Sequence, residues 1–276
     1  MIEAFSAGFA VDLCRLGRER RLYTGRVAMG VVDVTLIALF AMLVALMLVE
    51  HRWPVRAYPE VKGWRWRCVL FMPMVLGISA AVPYVLADVT RSAGLVPGHR
   101  LGIVGGTLVG ILVSELIVYW AHRLHHRVPL LWRWIHQLHH SAERVDVFGA
   151  AYFHPFEILE GTVVGVLLFN AVLGLAPEAA FLAAAWQAFN GVFQHGNIRT
   201  PRWLGYIVQR PEAHALHHER GIHDFNYANL PLWDLVFGTF KSPAAWQGTA
   251  GFYDGASRET LRMLIGRDVS GGAPRA

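Results

Sequence analysis

The residues with the clearest chemical potential in this sequence are histidines that recur at short spacings. The chain has 14 histidines, and nine of them form three clusters of one kind: His122, His125 and His126; His136, His139 and His140; His214, His217 and His218. Side chains three and four residues apart share one face of a helix. Neutral imidazole is the commonest metal ligand in proteins, so the clusters predict a metal site built mainly from histidine.

The number of imidazoles indicates more than one metal ion. A structural zinc takes about four ligands and a catalytic zinc about three, so the clusters suffice for two metals with open coordination positions. Imidazole suits iron, zinc, copper and nickel alike, and the spacing leaves the metal open. His125 and His223 stand outside the main spacing, and the isolated His51 and His99 are expected to be incidental. Neither a Glu-x-x-His nor a His-Glu-x-x-His motif occurs.

The elements that position these histidines are predicted to be membrane helices. Hydrophobic residues make up 54% of the chain and charged residues 16%, against about 45–50% and about 25% in soluble domains. The excess is concentrated in runs at 29–49, 68–87 and 101–120, which are long enough to span a bilayer. We therefore predict an all-α integral membrane helical bundle. Four glycines in the third run allow another helix to approach closely: Gly102, Gly105, Gly106 and Gly110.

The apolar stretch 157–194 is too long for one crossing and contains the turn signal Gly174-Leu-Ala-Pro177. We predict a hairpin of two crossings. A hairpin returns the chain to the face that it left, so His154 and His195 are expected on the same side as the first two clusters.

The basic residues indicate which face this is. The third run leads directly into the first cluster, and the arginine-rich loop 51–67 belongs on the same side. Basic loops mark the cytoplasmic face, so we predict a cytoplasmic-face metal site. The arginines before the first run would then lie outside, and we give the 51–67 loop more weight than Arg15, Arg18, Arg20 and Arg21. No basic stripe with interleaved aromatics indicates nucleic-acid binding. Cys14 and Cys68 lie far from the clusters, which argues against a thiolate site or a disulfide.

With these motifs in order, the chain resembles the fatty acid hydroxylase and sterol desaturase superfamily of membrane di-iron oxygenases. The similarity extends over roughly residues 105–240. Beside the clusters it includes Tyr119-Trp120-Ala-His122-Arg123, His154-Pro155-Phe-Glu157, Gln194-His195-Gly-Asn197, Asn226-Tyr227 and Leu232-Trp233-Asp234. Three positions depart from the family pattern: Tyr152, Arg199 and Ala228 stand where an arginine, a second histidine and a glycine are expected.

The resemblance implies an iron-dependent oxidoreductase that hydroxylates or desaturates a C–H bond of a fatty acyl, sterol or carotenoid-type lipid with O2 and external electrons. It implies a cofactor of two iron ions, with no catalytic residue beyond the metal ligands. Those ligands would be His122, His126, His136, His139, His140, His195, His214, His217 and His218. It divides the chain into N-terminal membrane helices (1–100), a fatty acid hydroxylase-like di-iron domain (101–245) and a C-terminal tail (246–276). The last stretch, from Ser270 to Ala276, is rich in Gly, Pro and Ala and is expected to be frayed.

Two further sets of residues are candidates for supporting roles. Five carboxylates could orient the ligands, of which we favour Glu157 and Asp234, with surface ion pairs as the alternative for the others: Glu115, Asp146, Glu157, Glu212 and Asp234. No flavin, haem or iron–sulfur motif occurs, so electrons must come from a ferredoxin or a cytochrome with its reductase. The basic loop and Arg199, Arg202 and Arg210 could dock that donor or contact lipid headgroups.

Two other classes of function fit the histidine pattern less well. A membrane electron carrier with bis-histidine haems would hold its ligands deep inside the spans, whereas these clusters stand at span ends. A metal transporter would need polar groups along the middle of the spans, where this sequence has few. We therefore favour the oxygenase.

Overall fold

The computed structural model describes residues 30–90 and 94–271. Over these residues the protein is helical, with nine helices that we number α1 to α9: Val31–Arg52, Trp64–Val85, Gly102–Arg127, Gln137–His140, Pro155–Val166, Pro177–Phe193, Pro211–His217, Leu232–Val236 and Thr260–Leu264. Short helical turns connect them at Ala87–Thr90, Gly98–Leu101, Pro129–Leu131, Trp132–His136, Val147–Ala151, Arg202–Tyr206 and Ala256–Glu259. The described residues contain no strand beyond one isolated bridge between Glu219 and Ala250.

Within the described ranges, four helices are long and apolar enough to cross a membrane: Val31–Arg52, Trp64–Val85, Gly98–Arg127 and Pro155–Val172. Their long apolar side chains are largely exposed, with Phe40 at 69% and Val104 at 75%. Exposed apolar side chains in such numbers are typical of a lipid-facing surface. The predicted all-α integral membrane bundle is confirmed. Pro73 and Pro83 lie inside α2 without ending it. The second span begins at Trp64, four residues before its apolar run.

The stretch 157–194 folds as the predicted hairpin. Its first arm, α5, continues through a π-helical turn at Leu167–Val172, and its second arm, α6, has 17 residues, at the lower limit for a span. The turn between them lies against residues 94–99, where Gly98 N donates to Leu173 O at 2.9 Å. His154, before α5, and His195, after α6, therefore both lie at the end of the bundle opposite this turn.

Two of the predicted glycines bring α3 and α6 together. A Cβ added at Gly106 would lie 3.0 Å from the Ala179 Cβ, and one added at Gly110 would lie 2.9 Å from the Ala183 Cβ. Such distances leave no room for a side chain. Gly105 instead faces Leu101 of its own turn. One face of α3 thus fixes α6, and with it the position of His195.

The described part of the C-terminal segment, 246–271, packs onto the bundle. Met263 is fully buried and Val269 is 7% exposed, in a core that includes Trp64, Leu138 and Tyr152. This segment therefore covers the helix that carries the second histidine cluster. The frayed end was expected from Ser270 to Ala276, but Ser270 is held, since its Oγ accepts from Trp132 Nε1 at 3.3 Å. Residues 272–276 lie outside the described residues, as do the arginines of the first 29 residues.

Candidate metal centre

The ends of α3 and α6, a π-helical turn, and the short helices α4 and α7 bring the histidines to the same end of the bundle. The last two turns of α3 carry His122 and His126. The chain then bends at Pro129, and a π-helical turn at Trp132–His136 leads into α4. π-Turns insert an extra residue into a helix and occur often at functional sites. Helix α7, which begins at Pro211, supplies the third cluster.

The nine predicted ligands fall into two groups of imidazoles. In each group, one nitrogen from every ring lies within 4.8 Å of the corresponding nitrogens of the others. The five-histidine group contains His122, His126, His136, His140 and His217. The four-histidine group contains His139, His195, His214 and His218. The groups adjoin, because the rings of His140 and His218 stack with centroids 4.2 Å apart.

Hydrogen bonds behind the rings determine which nitrogen faces the centre. His122 Nδ1 donates to Tyr227 O, His217 Nδ1 to Phe225 O, and His195 Nδ1 to Gly191 O, each at 2.7 Å. A carbonyl oxygen can only accept, so the proton of each neutral ring lies on Nδ1. The Nε2 lone pair then points toward the other histidines, as in protein metal sites.

Most of the ring nitrogens that face one another in the two groups have no satisfactory partner among the described protein atoms. Nε2 of His122, His126, His136 and His217 is buried without a hydrogen bond, and so are both ring nitrogens of His140. In the four-histidine group, Nε2 of His214 lies 3.1 Å from Nε2 of both His195 and His218. The proton of His195 lies on Nδ1, so its Nε2 can only accept, and Nδ1 of both His214 and His218 is buried without a partner. Buried polar atoms without partners are costly. A metal cation at each centre would satisfy one nitrogen of every ring in the two groups.

Burial keeps these imidazoles in the neutral form that binds metal. Removal from water, reinforced by neighbouring imidazoles, holds the pKa of His139, His214 and His218 well below the usual value of 6.5. Burial lowers the pKa of His195 to about 4. At neutral pH the rings therefore need not lose a proton before they bind a cation.

Two histidines outside the predicted set lie beside the groups. His125 Nε2 contacts Glu160 Oε2 at 2.9 Å, and a third small cluster joins His125 to His136 and Glu157. His223 Nδ1 lies 3.2 Å from His217 O, and its ring centroid lies 4.8 Å from that of His140. Both neighbour the centre without belonging to either of the two groups.

The two favoured carboxylates, the partly buried Glu157 and the buried Asp234, contact groups that orient the histidines. Glu157 Oε1 lies 2.7 Å from His136 Nδ1. Asp234 accepts hydrogen bonds from the backbone N–H groups of Tyr227 and Ala228, at 2.8 and 2.9 Å, and so holds the carbonyl that orients His122. For the other three carboxylates, the alternative prediction of a surface ion pair is wrong because all three are buried: Glu115, Asp146 and Glu212.

Comparisons with known proteins bear on this centre. A family model described as fatty acid hydroxylase matches residues 107–239. A very-long-chain aldehyde decarbonylase of Oryza sativa subsp. indica is 31% identical over 182 residues, which is 63% of this chain and 68% of the relative. The chain belongs to the fatty acid hydroxylase family. The resemblance inferred from the histidine motifs is thereby confirmed.

Other members of the fatty acid hydroxylase family match about half of this chain. An ornithine lipid hydroxylase of Rhizobium tropici is 34% identical over 142 residues, covering 49% of the chain and 42% of the relative. A lathosterol oxidase of Homo sapiens is 27% identical over 143 residues, covering 50% and 46%. The chain thus spans about half the length of these curated relatives. They are a hydroxylase and an oxidase, so the predicted oxidoreductase class is confirmed at the level of the family. No solved structure gives a significant match.

The three departures from the family pattern have structural counterparts. Tyr152 is fully buried, and its hydroxyl donates to Ser257 O at 3.0 Å in the C-terminal segment. Ala228 is buried where its N–H meets Asp234, and Arg199 is exposed. Tyr152 therefore binds the C-terminal segment to the turn that follows α4.

Sequence reasoning missed two positioning residues in this family member. Gln137 is fully buried within the second histidine cluster: its Nε2 donates to Arg267 O at 2.8 Å, and its Oε1 accepts from Val269 N at 3.3 Å. Glu50 Oε2 accepts from Asn197 N at 2.8 Å, close to His195. The sequence offered a signal for each of them: Gln137 is a polar residue inside the second histidine cluster, and Glu50 is a carboxylate at the end of the first apolar run.

The docking residues need one correction. Arg210 is fully buried, and it bonds to Thr200 O at 2.8 Å and to Glu212 at 3.2 Å. It cannot contact a protein partner or a lipid headgroup, because its guanidinium is buried and hydrogen-bonded inside the fold. Arg199 and Arg202 are exposed.

Proposed function

We propose that this protein is a membrane di-iron oxygenase that oxidises a C–H bond of a lipid, by hydroxylation or desaturation. The observation that carries the proposal is the division of nine imidazoles into adjoining groups of five and four, with ligating nitrogens within 4.8 Å in each group. Two iron ions bound there would supply the activation of O2, with two external electrons, that unactivated C–H oxidation requires.

The donor set supports two metals of this kind over a haem. A haem iron takes at most two axial protein ligands, whereas these groups offer five and four imidazoles. The protein's own part is to hold the rings neutral, to orient them through Tyr227 O, Phe225 O and Glu157, and to keep water out of a centre in which seven of the nine histidines are buried. A nearly all-imidazole site is also less anionic than a carboxylate-rich one, which favours the reduced metal.

The substrate proposed is a lipid that reaches the centre from the bilayer. The histidines lie at the ends of α3 and of the 155–193 hairpin, where a chain or ring already dissolved in the membrane can approach. Relatives named for an ornithine lipid and for lathosterol support a lipid class without selecting one.

We propose that the centre faces the cytoplasm and receives electrons from a ferredoxin or from a cytochrome with its reductase. The loop after α1 lies at the histidine end of the bundle, where Val55 N donates to Asn197 O at 3.2 Å. The loop and its flanks carry the exposed cations Arg52, Lys62 and Arg65. Basic residues beside spans favour the cytoplasmic side.

Metal analysis and lipid analysis test the proposal together. The purified protein should contain about two irons per chain and show no Soret absorbance, and His139→Ala should lose metal while His99→Ala, at the other end of the bundle, should not. A single zinc, a bound haem or full metal retention in His139→Ala would overturn the assignment. Cells that express the active protein should gain a lipid heavier by one oxygen for hydroxylation, or lighter by two hydrogens for desaturation.

A further inference from the structure

The short helix α8 and the residue after it expose an apolar surface although they lie outside the four long spans. The exposed side chains are Leu232, Leu235, Val236 and Phe237, with Val236 at 60%. On a soluble surface such a patch usually marks an interaction site. Its position relative to α3 identifies what it contacts.

Contacts with α3 determine the depth of this segment. Trp233 Nε1 donates to Leu112 O at 3.1 Å. Leu112 lies 15 residues before the end of α3 at Arg127, or about 22 Å along a helix, and so near the middle of this span. Phe237 stacks on Tyr119 with ring centroids 4.8 Å apart. Residues 229–237 therefore run beside α3 from the middle of the span toward its histidine end.

The backbone of the segment is satisfied as membrane depth requires. Irregular backbone within a bilayer must find its hydrogen bonds inside the protein. Glu115, on α3, accepts from the N–H groups of Asn229 and Leu230, each at 3.0 Å. Asp234 accepts from the two residues before them. With its polar groups turned inward, the segment presents apolar side chains outward.

We propose that residues 229–237 form a re-entrant element that enters the bilayer beside α3 and packs against lipid acyl chains. A second turn supplies its boundary at the headgroups: Trp203 and Tyr206 are each 63% exposed, and the Tyr206 ring lies 5.5 Å from that of Phe240. The neighbouring Arg202 and Lys241 are also exposed. Aromatic and basic residues together are typical of a membrane interface.

The element links the bilayer to the metal centre, because the same stretch of chain carries Tyr227, whose carbonyl orients His122. The inference concerns lipid contact alone and holds whichever metal or reaction the centre supports.

Site-directed spin labelling in phosphatidylcholine nanodiscs tests the proposal. In a Cys14→Ser, Cys68→Ala background, labels are placed at Val236→Cys, at Leu108→Cys as the lipid control, and at Asp254→Cys as the water control. Leu108 is 62% exposed on α3, and the Asp254 side chain is 96% exposed. The measured quantity is the ratio of the label's collision rate with O2 to its collision rate with a water-soluble nickel chelate. This ratio at position 236 should be high and close to the ratio at position 108.

Two outcomes would overturn the proposal. A ratio at 236 that equals the ratio at 254 would place the element in water. Low collision rates with both reagents, together with spin–spin broadening, would show that a second copy of the chain covers it. Leu235→Cys serves as a second label site should the first variant not fold.

Discussion

His136 and Glu157 form a hydrogen-bonded pair across the edge of the five-histidine group, with Nδ1 2.7 Å from Oε1. Its two members come from α5 and from the π-turn before α4, so the pair fixes one membrane helix against the helix that carries the second cluster. A carboxylate at Nδ1 also makes Nε2 a stronger ligand.

Removal of that carboxylate should weaken metal binding without unfolding the protein. We expect Glu157→Ala to lower the metal affinity of the five-histidine group by about 10–100-fold, as for other residues that orient a ligand, and Glu157→Gln to lose less because its amide oxygen still accepts. Competition with a chelator of known affinity measures the effect. Glu160→Gln, one turn away at His125, is the matched control, and an equal loss there would contradict the role given to Glu157.

The close approach of α3 and α6 should be sensitive to a side chain at Gly110. A Cβ at this position lies 2.9 Å from Ala183 and 3.0 Å from Leu175, so Gly110→Leu must separate the helices. We expect a loss of about 1–3 kcal/mol of stability, as for other overpacked cores, together with lower metal occupancy through His195. Gly77→Leu on α2, where an added Cβ meets nothing within 4 Å, should change neither. Thermal unfolding in detergent compares the two.

Gln137 should reveal whether the C-terminal segment supports the centre. Gln137→Ala leaves Arg267 O and the buried Val269 N without this partner, and a buried group that loses its partner costs about 1–3 kcal/mol. We expect a lower unfolding temperature and loss of metal from the histidines on either side. The exposed Gln247→Ala is the control, and a Gln137→Ala protein that unfolds like this control would refute the role.

The metal-free protein should become less stable as pH falls from about 6.5 toward 4. The buried imidazoles have lowered pKa values, about 4 for His195, so between these limits the unfolded chain binds protons that the folded protein does not. The free energy of unfolding therefore decreases with falling pH, by about 1.4 kcal/mol per pKa unit for each group. Denaturant titrations at several pH values measure the slope. His195→Ala should reduce it, His99→Ala should not, and a flat profile would contradict the burial argument.

Local sequence features were sufficient for much of the fold. Apolar runs of spanning length gave three of the long helices, and Gly174 and Pro177 marked the hairpin turn, because span length and turn chemistry are properties of short segments. The C-terminal segment was expected as a tail, since its apolar residues are too few to form a recognisable period. Its burial depends on Trp64, Leu138 and Tyr152, which are far away in the chain.

For the metal centre, the sequence by itself determined which residue types come together on single helix faces, because i, i+3 and i+4 spacings act within one or two turns. Only the tertiary structure decided how they are shared between two groups. His139 and His140 are neighbours in one cluster, yet they belong to different groups, and so do His217 and His218. Consecutive residues on a helix point about 100° apart, so the second and third clusters each face two directions. The packing of α3, α4, α6 and α7 then determines which imidazoles meet in each of the two groups.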